Sequence, residues 1–266
     1  MSQFTLAQIR SLIIDVDGVL WKGRETLPGV STFFDFLRRR KIPFVIASNN
    51  SARPASDIVE RLATLNVRVA PHEVLTSAEA TAIYLPRLVG KNARVFLVGG
   101  EGVRNALESV GFQIVEQNAE VVVVGLDREL TYDKLKRASL EIRRGAKFVG
   151  TNGDKTYPTD EGLAPGSGAI IAAIETATDV TPTIIGKPAR AMFDIAIEQM
   201  GADPSACAML GDRLDTDIEG AQRAGLKSIL VLTGVATPES LKKSEIQPDF
   251  TFENLDALRE SWEKNY

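Results

Sequence analysis

"SLIIDVDGVLW", residues 11–21, runs a short apolar stretch, Leu12 to Ile14, directly into two acids, Asp15 and Asp17. Three apolar residues in succession suit a strand buried on both faces. A carboxylate carried into such a core is costly unless it is paired, protonated or bound to metal. The stretch therefore reads as a core strand whose C-terminal end carries chemistry. Similar runs predict strands at 11–15, 43–47, 93–98, 121–125, 147–150, 183–185, 207–211 and 227–232. Amphipathic segments separate them. A helix from about Gly29 places Val30, Phe33, Phe34 and Leu37 on one face. Another, with Pro54 just inside its start, carries Ile58, Leu62 and Leu65. A weaker stripe joins Met192, Ile195, Ala196 and Gln199. Strand and helix in alternation predict an α/β protein with a parallel sheet.

In open parallel sheets, ligands bind outside the carboxyl ends of the strands. Four such ends carry chemistry: Asp15-Val16-Asp17-Gly18, Ser48-Asn49-Asn50-Ser51, Gly186-Lys187-Pro188, and Gly211-Asp212 through Asp217. From about 78 to 183 comes an α/β run whose strands lack that decoration. It reads as a second domain inserted into the first, with 1–77 and 184–266 as core and 78–183 as insert. If the four ends converge, Asp15 and Asp212 can hold a hard divalent cation such as Mg²⁺. Ser48 supplies a hydroxyl, Lys187 a point charge, and turn amides an anion nest. Together these match a phosphate dianion. Asp17 is left for proton transfer, with neighbouring negative charge expected to raise its proton affinity while Asp15 stays ionised.

Bulk properties narrow the field. The chain has 266 residues with a formal net charge of −4, no footprint for a nucleic-acid binder. The basic run Arg38-Arg39-Arg40-Lys41 reads as a solvated helix end. One cysteine, Cys207 in "ACAML", excludes an intrachain disulfide and reads as a buried small hydrophobe. The one histidine, His72, lies in a Pro-flanked loop, which argues against Ser-His chemistry or several imidazole ligands. No apolar run approaches the roughly 20 residues that span a bilayer. "MSQFTLAQIR" shows no secretory pattern. A cytoplasmic protein is expected, with neither nucleic-acid nor membrane partners.

The motifs "DVDGVLW", "SNNS", "IIGKP" and "GDRLDTDI", in this order and spacing, resemble those of the haloacid-dehalogenase-like (HAD) phosphatases. The branch most similar contains NagD and the p-nitrophenyl phosphatase-like enzymes. The resemblance covers nearly the whole chain. It implies a doubly wound, Rossmann-like core with an inserted α/β cap, and a Mg²⁺-dependent phosphomonoesterase working through an aspartyl-phosphate. By it, Asp15 is the nucleophile and Asp17 the general acid and then base, with Ser48, Asn49 and Lys187 holding phosphate. Asp15, the Asp17 carbonyl and Asp212 would bind the metal, and Asp217 would support it. Asp215 reads as a surface residue. The segment "GTNGDKTYPTDEGLAPGSGA", 150–169, resembles the family's specificity region, with Asn152 and Asp154 as its polar pair and Gly166-Ser167-Gly168 opening a helix. Trp21-Lys22 and residues 152–168 are expected to shape substrate choice over the active-site mouth. A small phosphomonoester is the expected partner, and any homodimer is expected to pair through the cap.

Other readings fit less well. Val19 and Leu20 stand where an EF-hand needs a ligand and a glycine. Pro188 occupies the Ser/Thr position of a P-loop, and Asn105 the third glycine position of a dinucleotide fingerprint in "VGGEGVRNAL". A receiver-like phospho-acceptor module also uses an aspartate, a hydroxyl and a lysine, but carries its nucleophile on a later strand. A phosphotransferase of the mutase kind generally bears a helical cap.

Overall fold

A computed structural model of the chain describes residues 4–159 and 161–264; Met1–Gln3 of the N-terminal segment and Asp160 of the 150–169 segment lie outside them. The chain divides into two compact units, Met1–Ser48 with Ile58–Val74 and Lys187–Tyr266, and Asn49–Asp57 with Leu75–Gly186. The short segment 49–57 thus groups with the second unit, apart from the boundaries at 77/78 and 183/184 that strand-end decoration suggests.

The first unit is built on a sheet ordered Phe250–Phe252, Lys227–Val231, Cys207–Gly211, Ser11–Ile14, Phe44–Ser48, Val74–Thr76. The first five of these pair in parallel. Ile14 lies opposite Leu210 on one side and Ile46 on the other. Every residue of Ser11–Ile14, Phe44–Ser48 and Cys207–Gly211 is buried, which explains runs that are continuously apolar instead of alternating. The chain leaves Ser11–Ile14 toward Phe44–Ser48 and later returns on its other flank. That reversal opens a crevice at the carboxyl ends of these strands.

Helix Val30–Arg40 buries Val30, Phe33, Phe34, Phe36 and Leu37, ends in three arginines, and stops at Lys41 with φ 55°. The next helix spans Ser56–Thr64, so Pro54 lies ahead of it and not inside its start. Its carbonyl accepts from the Asp57 amide at 3.2 Å, closing a turn that feeds the helix. Leu65 falls just past the helix end, leaving Ile58 and Leu62 as its buried face. Helix Arg190–Met200 buries Met192, Phe193, Ile195, Ala196 and Ile197. Gln199, expected on that stripe, is exposed and donates to the His72 carbonyl at 3.2 Å.

The second unit has its own parallel sheet, ordered Thr183–Ile184, Lys147–Gly150, Val121–Val124, Arg94–Val98, Gln113–Ile114. Val122 and Val124 pack with Ala138, Ile142, Ile170, Ile171 and Ile174 in its core. An antiparallel hairpin, Thr156–Thr159 with Gly162–Pro165, was not foreseen; it is short and largely exposed, so no burial pattern marks it. Helix Ser167–Thr178 opens after Gly166, as the sequence suggests. No helix among the described residues is long and apolar enough to cross a membrane.

Candidate active site

Asp15 follows the central strand directly, and its amide still bonds the Leu210 carbonyl at 2.8 Å. Its carboxyl therefore emerges where the sheet's crevice opens. The neighbouring strand Cys207–Gly211 delivers Asp212 to the same edge, and a single wide helical turn, Leu214–Ile218, brings Asp217 back to it. Carboxylate oxygens of Asp15, Asp212 and Asp217 all lie within 4.8 Å of one another. All three residues are buried, at 8%, 1% and 0% exposure.

Lys187, itself buried, pairs with Asp15 and, at 2.8 Å, with Asp217. The second oxygen of Asp217 accepts the amides of Asp212 at 3.2 Å and Arg213 at 3.1 Å. Asp217 thus fastens the lysine to the loop that carries Asp212. Asp215 stands outside this group and pairs with Arg213 at 2.9 Å on the surface, as expected. Two glycines make the close approach feasible. A Cβ on Gly18, whose φ is +86°, would fall 2.3 Å from Asp212 Oδ2, and one on Gly211 would fall 2.3 Å from Asp217 Cβ.

One ammonium does not balance three buried carboxylates. Burial raises the Asp15 pKa well above its ordinary value; Lys187 pulls it down, while Asp217 and Asp212 push it up. Burial and then the charge of Asp217 push Asp212 up to about 7. Burial alone would lower the Lys187 pKa, but the charges of Asp15 and Asp217 raise it, so it remains an ammonium. Asp212 Oδ2 accepts the Val235 amide at 2.6 Å, whereas its Oδ1 is sealed from solvent with no hydrogen-bond partner. An all-oxygen donor set, excess negative charge and an orphaned carboxylate oxygen fit a hard divalent cation of the Mg²⁺ kind.

Asp17 is exposed, two residues beyond Asp15. Its pKa is raised, as expected, but for a different reason. The cause is protein packed around the carboxyl, while the charges nearby, Lys187 and Arg61, pull it down. The expected neighbouring negative charge is not what acts on it. Ser48 ends its strand buried beside Ser11–Ile14. Asn49 enters the second unit, where its Nδ2 donates to both Asp154 oxygens at 3.2 Å. Its carbonyl accepts from Asn152 Nδ2 and Ser77 Oγ, each at 2.7 Å. Asn49, Asn152 and Asp154 therefore form one hydrogen-bonded group in that unit.

Sequence reading missed three contributors. The loop after Lys227–Val231 supplies the Val235 amide to Asp212, and its Thr233 hydroxyl donates to the Gly18 carbonyl at 2.5 Å. The strand-end rule applied to "LTGVAT" would have found it. Arg61 lies over the Trp21 ring, 4.1 Å from its centroid, and nothing in "VERLA" hints at that.

The described geometry has close parallels. The haloacid dehalogenase-like hydrolase family profile matches residues 12–113, and a HAD-hydrolase-like profile matches 184–258. An acid sugar phosphatase of Staphylococcus haemolyticus is 37% identical over 257 residues, covering 96% of this chain and 97% of that protein. The crystal structure of a 4-nitrophenylphosphatase from Thermotoga maritima is 39% identical with a TM-score of 0.91, covering 96% of this chain and 98% of that one. NagD from Escherichia coli K-12 is 31% identical with a TM-score of 0.86, covering 93% and 97%.

Proposed function

The chain belongs to the haloacid dehalogenase-like hydrolases, as a phosphatase of the NagD-like branch, and from that premise we propose that it hydrolyses small phosphomonoesters, sugar phosphates foremost, through an aspartyl-phosphate on Asp15. The observation that carries this reading is the buried cluster of Asp15, Asp212 and Asp217 with Lys187 bonded between two of its members. The 49–57 and 75–186 unit acts as the cap that selects the leaving group, and the remainder as the catalytic core.

Asp15 and Asp212 side chains, with the Asp17 carbonyl, would hold Mg²⁺. Bound there, the cation supplies positive charge against both the carboxylates and the incoming phosphate. Lys187 opposes the burial that raises the Asp15 pKa, and the cation would add to that pull toward the carboxylate needed for attack. Lys187 also adds charge toward the transferring phosphoryl group. An Asp15 oxygen forms a bond to phosphorus as the bond from phosphorus to the ester oxygen breaks. Protonated Asp17 gives its proton to that leaving oxygen. As carboxylate, Asp17 then takes a proton from water, whose oxygen attacks phosphorus and breaks its bond to Asp15. Inorganic phosphate and free Asp15 result. A raised Asp17 pKa suits the first half of this exchange.

Hydrolysis of p-nitrophenyl phosphate and a panel of sugar phosphates, by wild type and Asp15→Asn, with Mg²⁺ and with EDTA, tests the reading. Activity should require both Asp15 and the metal, and Asp15→Asn should retain a wild-type circular-dichroism spectrum. Turnover indifferent to Asp15 would refute the aspartyl-phosphate. A stable phospho-form without turnover would favour a phospho-acceptor module.

A further inference from the structure

The turn after the first strand is closed tightly upon itself. The Gly18 amide bonds the Trp21 carbonyl at 2.7 Å, the Leu20 amide bonds Val16 at 2.8 Å, and Asp17 and Trp21 form a backbone bridge. The chain then makes a small hairpin, Trp21–Lys22 against Glu25–Thr26. Two residues on each strand are too few to hold a hairpin by themselves. Something outside it must fix its position, and with it the side chain of Asp17.

Arg61 does so from helix Ser56–Thr64. Its guanidinium lies 4.1 Å from the Trp21 ring centroid, and its Nη1 donates to the Gly23 carbonyl at the hairpin tip at 2.9 Å. Its Nη2 is sealed from solvent and has no hydrogen-bond partner, which costs free energy unless a neighbouring charge compensates. Trp21, over which the guanidinium lies, is in turn bridged through its backbone to Asp17, so the tether reaches that residue's own segment. Trp21 is only 5% exposed, so its ring has one place to lie.

We infer that Arg61 is a positioning residue for Asp17: by stacking on Trp21 and tethering Gly23, it holds the hairpin so that the Asp17 carboxyl keeps one orientation for proton transfer. The inference rests on the phosphatase reading and names a residue that reading does not require. A lysine in its place would keep the charge but lose the flat guanidinium that lies over the Trp21 ring while donating to Gly23.

The role predicts a dependence on leaving group. p-Nitrophenolate departs without help from an acid, whereas an alkoxide needs a proton. Single-turnover phosphoryl transfer should be measured on p-nitrophenyl phosphate and glycerol 1-phosphate, for wild type, Arg61→Ala and Arg61→Lys. The loss in Arg61→Ala should be roughly tenfold larger on the alkyl ester, a part of the ~10²–10⁴ that general acid catalysis supplies. Arg61→Lys should rescue little. In an Asp17→Asn background, Arg61→Ala should no longer change the ratio between the two esters. Equal losses on both substrates, or an unchanged ratio in Arg61→Ala, would overturn the assignment. If wild type proves independent of Asp15, the phosphatase reading fails instead, and a second readout still decides. The chain has two tryptophans, so the Trp21 indole N–H resonance is easily assigned. It should shift in Arg61→Ala, which removes the guanidinium from over the ring, and a Trp21 signal blind to Arg61 would refute the tether.

Discussion

Asp212 holds two tasks that conflict. Burial and the Asp217 charge push its pKa from an ordinary 3.8 up to about 7, so the folded metal-free chain holds that proton more tightly than the unfolded chain. A carboxyl raised in this way makes stability fall as pH climbs between the two values. The metal-free protein should therefore melt at lower temperature at pH 8 than at pH 6. Asp212→Asn should remove most of that difference and stabilise the metal-free protein at pH 8 by on the order of 1–3 kcal/mol, while losing turnover. Thermal melts in EDTA at both pH values check this; a variant less stable than wild type at pH 8 would contradict it. Adding Mg²⁺ should reverse the ranking, because the cation uses the carboxylate whose repulsion it relieves.

At the scale of elements, one ion pair ties helix Val30–Arg40 to the turn before Val74–Thr76. Arg38 Nη1 and Nη2 meet the Glu73 oxygens at 2.6 and 2.5 Å, and the Ala70 amide donates to Glu73 at 2.8 Å. Burial works to raise the Glu73 pKa, but these hydrogen bonds overcome it and hold the carboxyl below its ordinary 4.5. A depressed carboxyl contributes stability above its unfolded pKa and loses it as pH falls through the folded value. Arg38 is about half exposed, so solvent screening keeps the contribution to about 1 kcal/mol despite the bidentate geometry. Glu73→Gln should lower the unfolding free energy from urea titration at pH 7 by that amount, with the loss shrinking as the pH falls through the folded pKa of Glu73. A loss as large at pH 3 would mean packing, not charge, is at stake. Elements also explain where sequence reading succeeded. Buried central strands and the Val30–Arg40 stripe are legible because burial on both faces, or on one helical face, writes a pattern into neighbouring residues. The hairpins at 21–26 and 156–165 bury too little to write one.

At the scale of the whole molecule, the proposed function assigns the chemistry of phosphorus and the choice of leaving group to different units of the chain. Asn49, Asn152 and Asp154 bond to one another within the second unit, across 105 residues of sequence between Asn49 and Asp154. Asp154→Ala should change kcat/KM among sugar phosphates by roughly tenfold while altering p-nitrophenyl phosphate far less. A substrate panel at matched Mg²⁺ reads the difference, and uniform losses would assign Asp154 to the stability of its unit. The family's name was legible from four short motifs, because chemistry on phosphate demands particular residue types at strand ends. Substrate choice was not, because it depends on the shape of a surface that no local pattern records.

By itself the sequence determined the α/β class and its buried strands, and it singled out Asp15, Asp17, Ser48, Lys187 and Asp212 as candidates, with Asp217 added by the family resemblance. The class and the strands follow from local rules, an apolar run or a helical stripe, and the candidates from polar residues placed where predicted strands end. Only the tertiary structure decided that Asp217 fastens Lys187, that Val235 bonds Asp212, that loss of water around the carboxyl and not negative charge raises the Asp17 pKa, and that Arg61 lies on Trp21. These depend on distances between residues far apart in the chain, and on how much water remains around a carboxyl. Neither quantity exists until the sheet has assembled.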